Sequence, residues 1–160
     1  MTSEIIQSSD FLKKFASPQG AIGIIMGTGL HQLAKSIKIR EAVDYSMIPH
    51  FPTSTVESHK GKLLFGTVEG KEVIAMQGRF HFYEGYSMQQ ITMPVRVMKQ
   101  LGVNTLLVSN AAGALNPSYQ KGELMLIEDH IHLQSTNQKK KKNDAEMGPR
   151  FPDMSAPYDG

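Results

Sequence analysis

Apolar residues come in short blocks along this chain, and the blocks are separated by glycine, proline and charge. Residues 21–26 and 73–76 are apolar runs of the length that suits buried strands, and residues 103–109 are a further strong buried-strand candidate. Residues 61–77 carry the clearest local signal. Leu63, Phe65 and Thr67 alternate with Leu64, Gly66 and Val68, Glu69-Gly70 follows as a turn, and a second strand runs on to Gln77. Residues 2–16 instead have helical spacing, with Ile5, Ile6, Phe11, Leu12 and Phe15 on the apolar side. Ser87-Met88-Gln89-Gln90 reads as a capping box opening a helix whose apolar positions are Met88, Ile91, Val95, Met98 and Leu101. Pro94 must kink that helix or open a second one, and Gly102 fits the position just past its end. Residues 124–127 predict one more strand. Residues 37–60, broken by Pro49 and Pro52, read as less regular. Strands alternating with helices define an α/β fold.

Composition narrows the function classes. With 160 residues, 40% hydrophobic and 20% charged, the chain suits one domain with a sizeable core. A net charge of +2 gives no support to a nucleic-acid role, and the absence of cysteine removes disulfides and thiolate metal sites. No signal-peptide core and no apolar run long enough to span a bilayer are present, so a soluble, cytoplasmic protein is expected. Lys139 to Lys142 stand in a polar stretch, 135–146, that reads as a solvated, mobile loop. His130 and His132 flank no third ligand at a metal-binding spacing, and no metal is expected there.

The chemistry concentrates in residues 77–86. Glycines at 78 and 85 allow sharp turns on either side of Arg79, His81, Tyr83 and Glu84. If residues 79–82 are extended, Arg79 and His81 point one way while Phe80 and Phe82 anchor in the core. A planar guanidinium fork beside an imidazole suits phosphate or carboxylate. The plainer reading of the same residues is a surface loop with an Arg79–Glu84 salt bridge. Gly27-Thr28-Gly29-Leu30 after the 21–26 strand is either an ordinary tight turn or a backbone donor set for an anion. His59, on a polar loop, is either a ligand-facing group or a solvated histidine.

Six motifs in order resemble one family. They are Gly27-Thr28-Gly29-Leu30, Ser58-His59-Lys60-Gly61, residues 77–86, Thr92-Met93-Pro94-Val95-Arg96, Asn110-Ala111-Ala112-Gly113 and residues 148–155. Together they resemble purine nucleoside phosphorylases of the trimeric class, a group that also includes methylthioadenosine phosphorylases. The 79–86 segment is similar to the nucleoside phosphorylase form. The resemblance implies a mixed central sheet flanked by helices, a single domain over 1–160 that stops short on its C-terminal side, and a homotrimer. It implies reversible phosphorolysis with inorganic phosphate as co-substrate and no cofactor. Thr28, His59, Arg79, His81 and the main-chain N–H of Ala111 would bind phosphate, with His81 also catalytic. Tyr83 would lie against the ribose and Phe151 would reach a neighbouring subunit's sugar site. A glutamate and an asparagine that bind the base in the family lie downstream of the matching part, so weak or no turnover is expected of this chain alone. A non-catalytic phosphate- or nucleoside-binding module derived from the same fold, or a methylthioadenosine phosphorylase, stands as the alternative.

Overall fold

Strand β3 (Lys62–Val68) turns back on β4 (Lys71–Gln77) through Glu69 and Gly70 in an antiparallel hairpin. Both turn residues have positive φ, 46° and 74°. That backbone twist matches the twist of the strands it joins, and glycine adopts it at little cost. The hairpin is the middle of a five-stranded sheet in the order β2-β3-β4-β1-β5. Strand β1 (Ala21–Met26) runs parallel to β4 on one side and to β5 (Val103–Val108) on the other. Strand β2 (Lys38–Asp44) adds antiparallel to β3. The sheet is therefore mixed, as expected.

The computed structural model describes residues 2–16, 20–27, 32–52, 61–131, 133, 148–149 and 152–158. The chain forms two compact units, Met1–Ala112 and Gly113–Gly160. The first holds every helix and strand defined among the described residues. Its helices are α1 (Thr2–Leu12), the short α2 (Leu33–Ser36) and α3 (Met88–Gln100). In the second unit, turns are closed locally: Asn116 accepts from the Ser118 amide and hydroxyl at 3.0 and 2.8 Å. Tyr158 meets His130 Nδ1 at 3.0 Å. The 135–146 stretch lies outside the described residues. Among the described residues no helix is long and apolar enough to cross a membrane.

Helix α3 starts as its sequence demands: Ser87 Oγ accepts from Gln90 N at 3.3 Å, and the Gln90 side chain returns to the Ser87 amide at 2.9 Å. It continues through Pro94 as one element to Gln100, and Gly102, just past its Leu101 cap, has a φ of 90°. The fully buried stripe is Met93, Pro94, Val97, Met98 and Leu101, while the expected Met88, Ile91 and Val95 are half-buried. In α1, Ile5 and Leu12 are buried but Ile6 is exposed. Ser8 and Ser9 take buried positions instead, donating to the carbonyls of Glu4 and Ile5 at 2.9 and 2.7 Å. A serine that satisfies its hydroxyl on the preceding turn can lie in a core face.

Three further expectations fail. The irregular reading of 37–60 misses β2, a polar edge strand whose side chains are nearly all exposed. Strand β5 forms where expected but is not buried: after Val103 every residue is exposed. Residues 124–127 make no strand, and Leu124 and Leu126 are 87% and 90% exposed.

Candidate active site

Because β4, β1 and β5 are parallel neighbours, their C-terminal ends come out at one edge of the sheet. Ligands of α/β sheets gather at such edges. Here the three ends are tied to one another by Ser109. Its amide and its hydroxyl both donate to Ile25 O, at 3.1 and 3.2 Å, and its Oγ accepts from Gly27 N at 2.9 Å. Its carbonyl oxygen accepts from Arg79 Nη1 at 3.1 Å. The residue just past β5 therefore locks the end of β1 and holds the arginine that follows β4. Sequence reasoning passed over Ser109 because a serine closing an apolar run carries no motif.

The loop after β4 is fastened from beneath by aromatic rings. Phe80 is buried between Tyr45 and Tyr86, with ring centroids 5.2 and 5.5 Å away. Tyr45, itself buried, packs on Phe51 at 5.7 Å and donates its hydroxyl to Gly78 O at 2.7 Å. Burial raises the Tyr45 phenol far above its ordinary range. It stays a neutral donor, and the Gly78 carbonyl keeps its bond.

Above that anchor, Arg79 and His81 share one side, as alternation predicts. Arg79 Nε donates to His81 Nε2 at 3.0 Å. Phe82 departs from the expected anchor: the chain enters a 3-10 turn over Phe82–Glu84, and Phe82 is 61% exposed. The turn closes with Glu84 N donating to His81 O at 3.2 Å and ends at Gly85 with φ of 90°. It also brings Glu84 back under His81. Glu84 Oε1 accepts from the His81 main-chain N–H at 3.1 Å and meets its ring Nδ1 in a short contact. The Glu84 carboxylate therefore pairs with the imidazole, where the plainer sequence reading paired it with Arg79. Desolvation, and then the Glu84 charge, raise the neighbouring Tyr86 phenol. Tyr83 stacks on the outer face of the His81 ring, 4.8 Å between centroids and 19° between planes, and is itself 82% exposed.

The arrangement offers a cation held at two points, an oriented imidazole and an open aromatic face, all at the exit of three strands. Ala111, two residues past Ser109, is exposed at the same edge of the first unit. Thr28, His59 and Phe151, the other expected site residues, lie outside the described residues. A guanidinium held by a backbone carbonyl and an imidazole held by a carboxylate can receive an oxyanion with little reorganisation.

Sequence and fold coincide in one family. The chain belongs to the phosphorylase superfamily, whose model matches residues 21–160. It is 52% identical over 159 residues to purine nucleoside phosphorylase 1 of Bacillus subtilis (strain 168), covering 99% of this chain and 59% of that protein. The solved isoform 2 of purine nucleoside phosphorylase from Schistosoma mansoni, in complex with cytosine and ribose-1-phosphate, superposes with a TM-score of 0.88 at 44% identity. That match covers 98% of this chain and 56% of the other. The Schistosoma mansoni enzyme solved with inosine gives 0.86 at 42% identity over 96% of this chain and 54% of its own. The chain thus spans a little over half the length of the relatives it matches.

Proposed function

We propose that the complete protein is a purine nucleoside phosphorylase, catalysing reversible phosphorolysis of purine ribo- and deoxyribonucleosides to the free base and the sugar 1-phosphate. The observation that carries this reading is the Arg79–His81 pair, bonded at 3.0 Å where β4, β1 and β5 end. Similarity to named purine nucleoside phosphorylases along nearly the whole chain supports it. Phosphate sits on Arg79, His81, Thr28 and the Ala111 N–H, with His59 beside it. One of its oxygens forms a bond to the anomeric carbon as the C–N bond breaks and the base leaves with the electron pair, then gains a proton. The dianion stabilises the positive charge that develops on the ribose, and fixed donors keep it in line for attack. His81 is catalytic through its contact with that phosphate. Tyr83 covers the sugar, and Phe151 completes the sugar site of a neighbour in a homotrimer. The setting is cytoplasmic purine salvage, with no cofactor.

The test uses a chain built out to the relatives' length, incubated with inosine with and without phosphate. Release of hypoxanthine and ribose 1-phosphate that depends on added phosphate is expected. Base release at the same rate without phosphate would mean hydrolysis and would overturn the proposal.

A further inference from the structure

In a parallel pair of strands the rungs run from one strand to the other in alternation. Strands β1 and β5 keep that order up to Ile25 and Val108, and the Ser109 N–H adds the next rung to Ile25 O at 3.1 Å. The rung after it would run from the Gly27 N–H to Ser109 O. Gly27 gives its N–H to the Ser109 hydroxyl instead, at 2.9 Å. The Ser109 carbonyl stands to the side, where a side chain of residue 27 would project: a Cβ there would lie 2.1 Å from its oxygen. A hydroxyl has one hydrogen and two lone pairs, so the same group also donates to Ile25 O, at 3.2 Å. A side chain thus completes the rung that a carbonyl ordinarily completes. The carbonyl is released to accept from Arg79 Nη1 at 3.1 Å.

We propose that Ser109 is a positioning residue whose hydroxyl replaces its own carbonyl in the β1–β5 ladder, so that the carbonyl holds the Arg79 guanidinium for an anion. The bond from Arg79 Nε to His81 Nε2 fixes one edge of the guanidinium but leaves its outer end free to turn about the Nε–Cζ bond. The contact with Ser109 O stops that rotation and sets the direction of the remaining N–H groups. With alanine at 109 the Gly27 N–H loses its acceptor at a part-buried strand end, and a backbone donor there must find another. The carbonyl beside it is the one that Arg79 uses. The two donors then compete, and the guanidinium loosens. The anion's part in this rests on the phosphate reading given above. The hold on Arg79 does not.

The experiment is NMR of the arginine side-chain nitrogens in the 160-residue chain, first without and then with inorganic phosphate. Arg79 is assigned by its loss in Arg79→Lys. Without phosphate the parent is expected to show separate Nη signals for Arg79, the mark of a guanidinium that does not turn freely. Merged Nη signals in the parent overturn the proposal whether or not any variant folds. Ser109→Ala should merge them and weaken phosphate binding about tenfold, the lower end of what removing an orienting partner costs. Ser109→Thr keeps the hydroxyl and should restore both readouts, whereas Ser109→Val, of the same shape, should restore neither. A serine that serves stability alone would lower the unfolding midpoint in Ser109→Ala and leave the Arg79 signals separate, which would refute the assignment. A parent with a held guanidinium that Ser109→Ala releases, but with no affinity for phosphate, would confirm the hold and overturn the phosphate reading alone.

Discussion

Gly27→Ala is expected to destabilise the protein by about 3 kcal/mol, at the upper end of what overpacking costs. A Cβ at this position would lie 2.1 Å from Ser109 O and 2.8 Å from its carbonyl carbon. Those are backbone atoms, which cannot swing away as a side-chain tip does. The same carbonyl accepts from Arg79, and the Gly27 amide donates to Ser109 Oγ. Forcing β1 and β5 apart here therefore breaks the tie among three strand ends as well as adding strain. In thermal unfolding the loss should appear as a drop of about 6–12 °C for a chain of this size. Gly113→Ala is the control, since nothing lies within 4 Å of a Cβ there. It should stay within about 0.5 kcal/mol of the parent. Equal stability of the two variants would show that the strand ends are not held as closely as described.

Arg79→Ala should sharply diminish the protein's response to phosphate. A ligand at about 100 times its dissociation constant stabilises the folded state by about 2.7 kcal/mol. For this size that is a midpoint rise of about 5–10 °C. The variant gives up a charge-assisted donor worth about 1.5–3 kcal/mol, enough to weaken phosphate about 10–150-fold. Because Arg79 also bonds Ser109 O, the unliganded midpoint will fall somewhat. The readout is the increment that phosphate adds, measured on each protein separately. An undiminished increment in the variant would place the anion elsewhere.

Much of this architecture is legible in the sequence where local rules act alone. The β3–β4 hairpin, the Ser87 capping box and the glycine after α3 all depend on neighbours in the chain, and all stand where expected. The Arg79–His81 pair follows from alternation over three residues. What could not be read depends on which surroundings each segment meets. Strand β2 is polar because it lies at an edge, and a polar strand looks like a loop until its partner β3 is known. Residues 104–108 have the composition of a buried strand, but composition states which surroundings suit a strand and does not supply them. Residues 124–127 show the same limit, as an apolar run that pairs with no strand among the described residues. A core position for Phe82 requires that extension continue past His81. The turn at 82–84 ended it, and that turn also delivered Glu84 to His81. A histidine followed three residues later by glutamate and then glycine was the available signal.

The sheet order sets when during folding the site can exist. The hairpin closes over two residues, whereas β1 must find β4 and β5 from far along the chain: Ile22 pairs with Val73, and Ile25 with Val108. Closing such long loops is the slow, entropically costly part of folding, and the hairpin can form well before it. Every tie made by Ser109 belongs to the late class. Phosphate should therefore slow unfolding and leave the refolding rate nearly unchanged, since its site is assembled after the main barrier is crossed. Refolding that speeds up in proportion to phosphate would mean that the strand ends meet early.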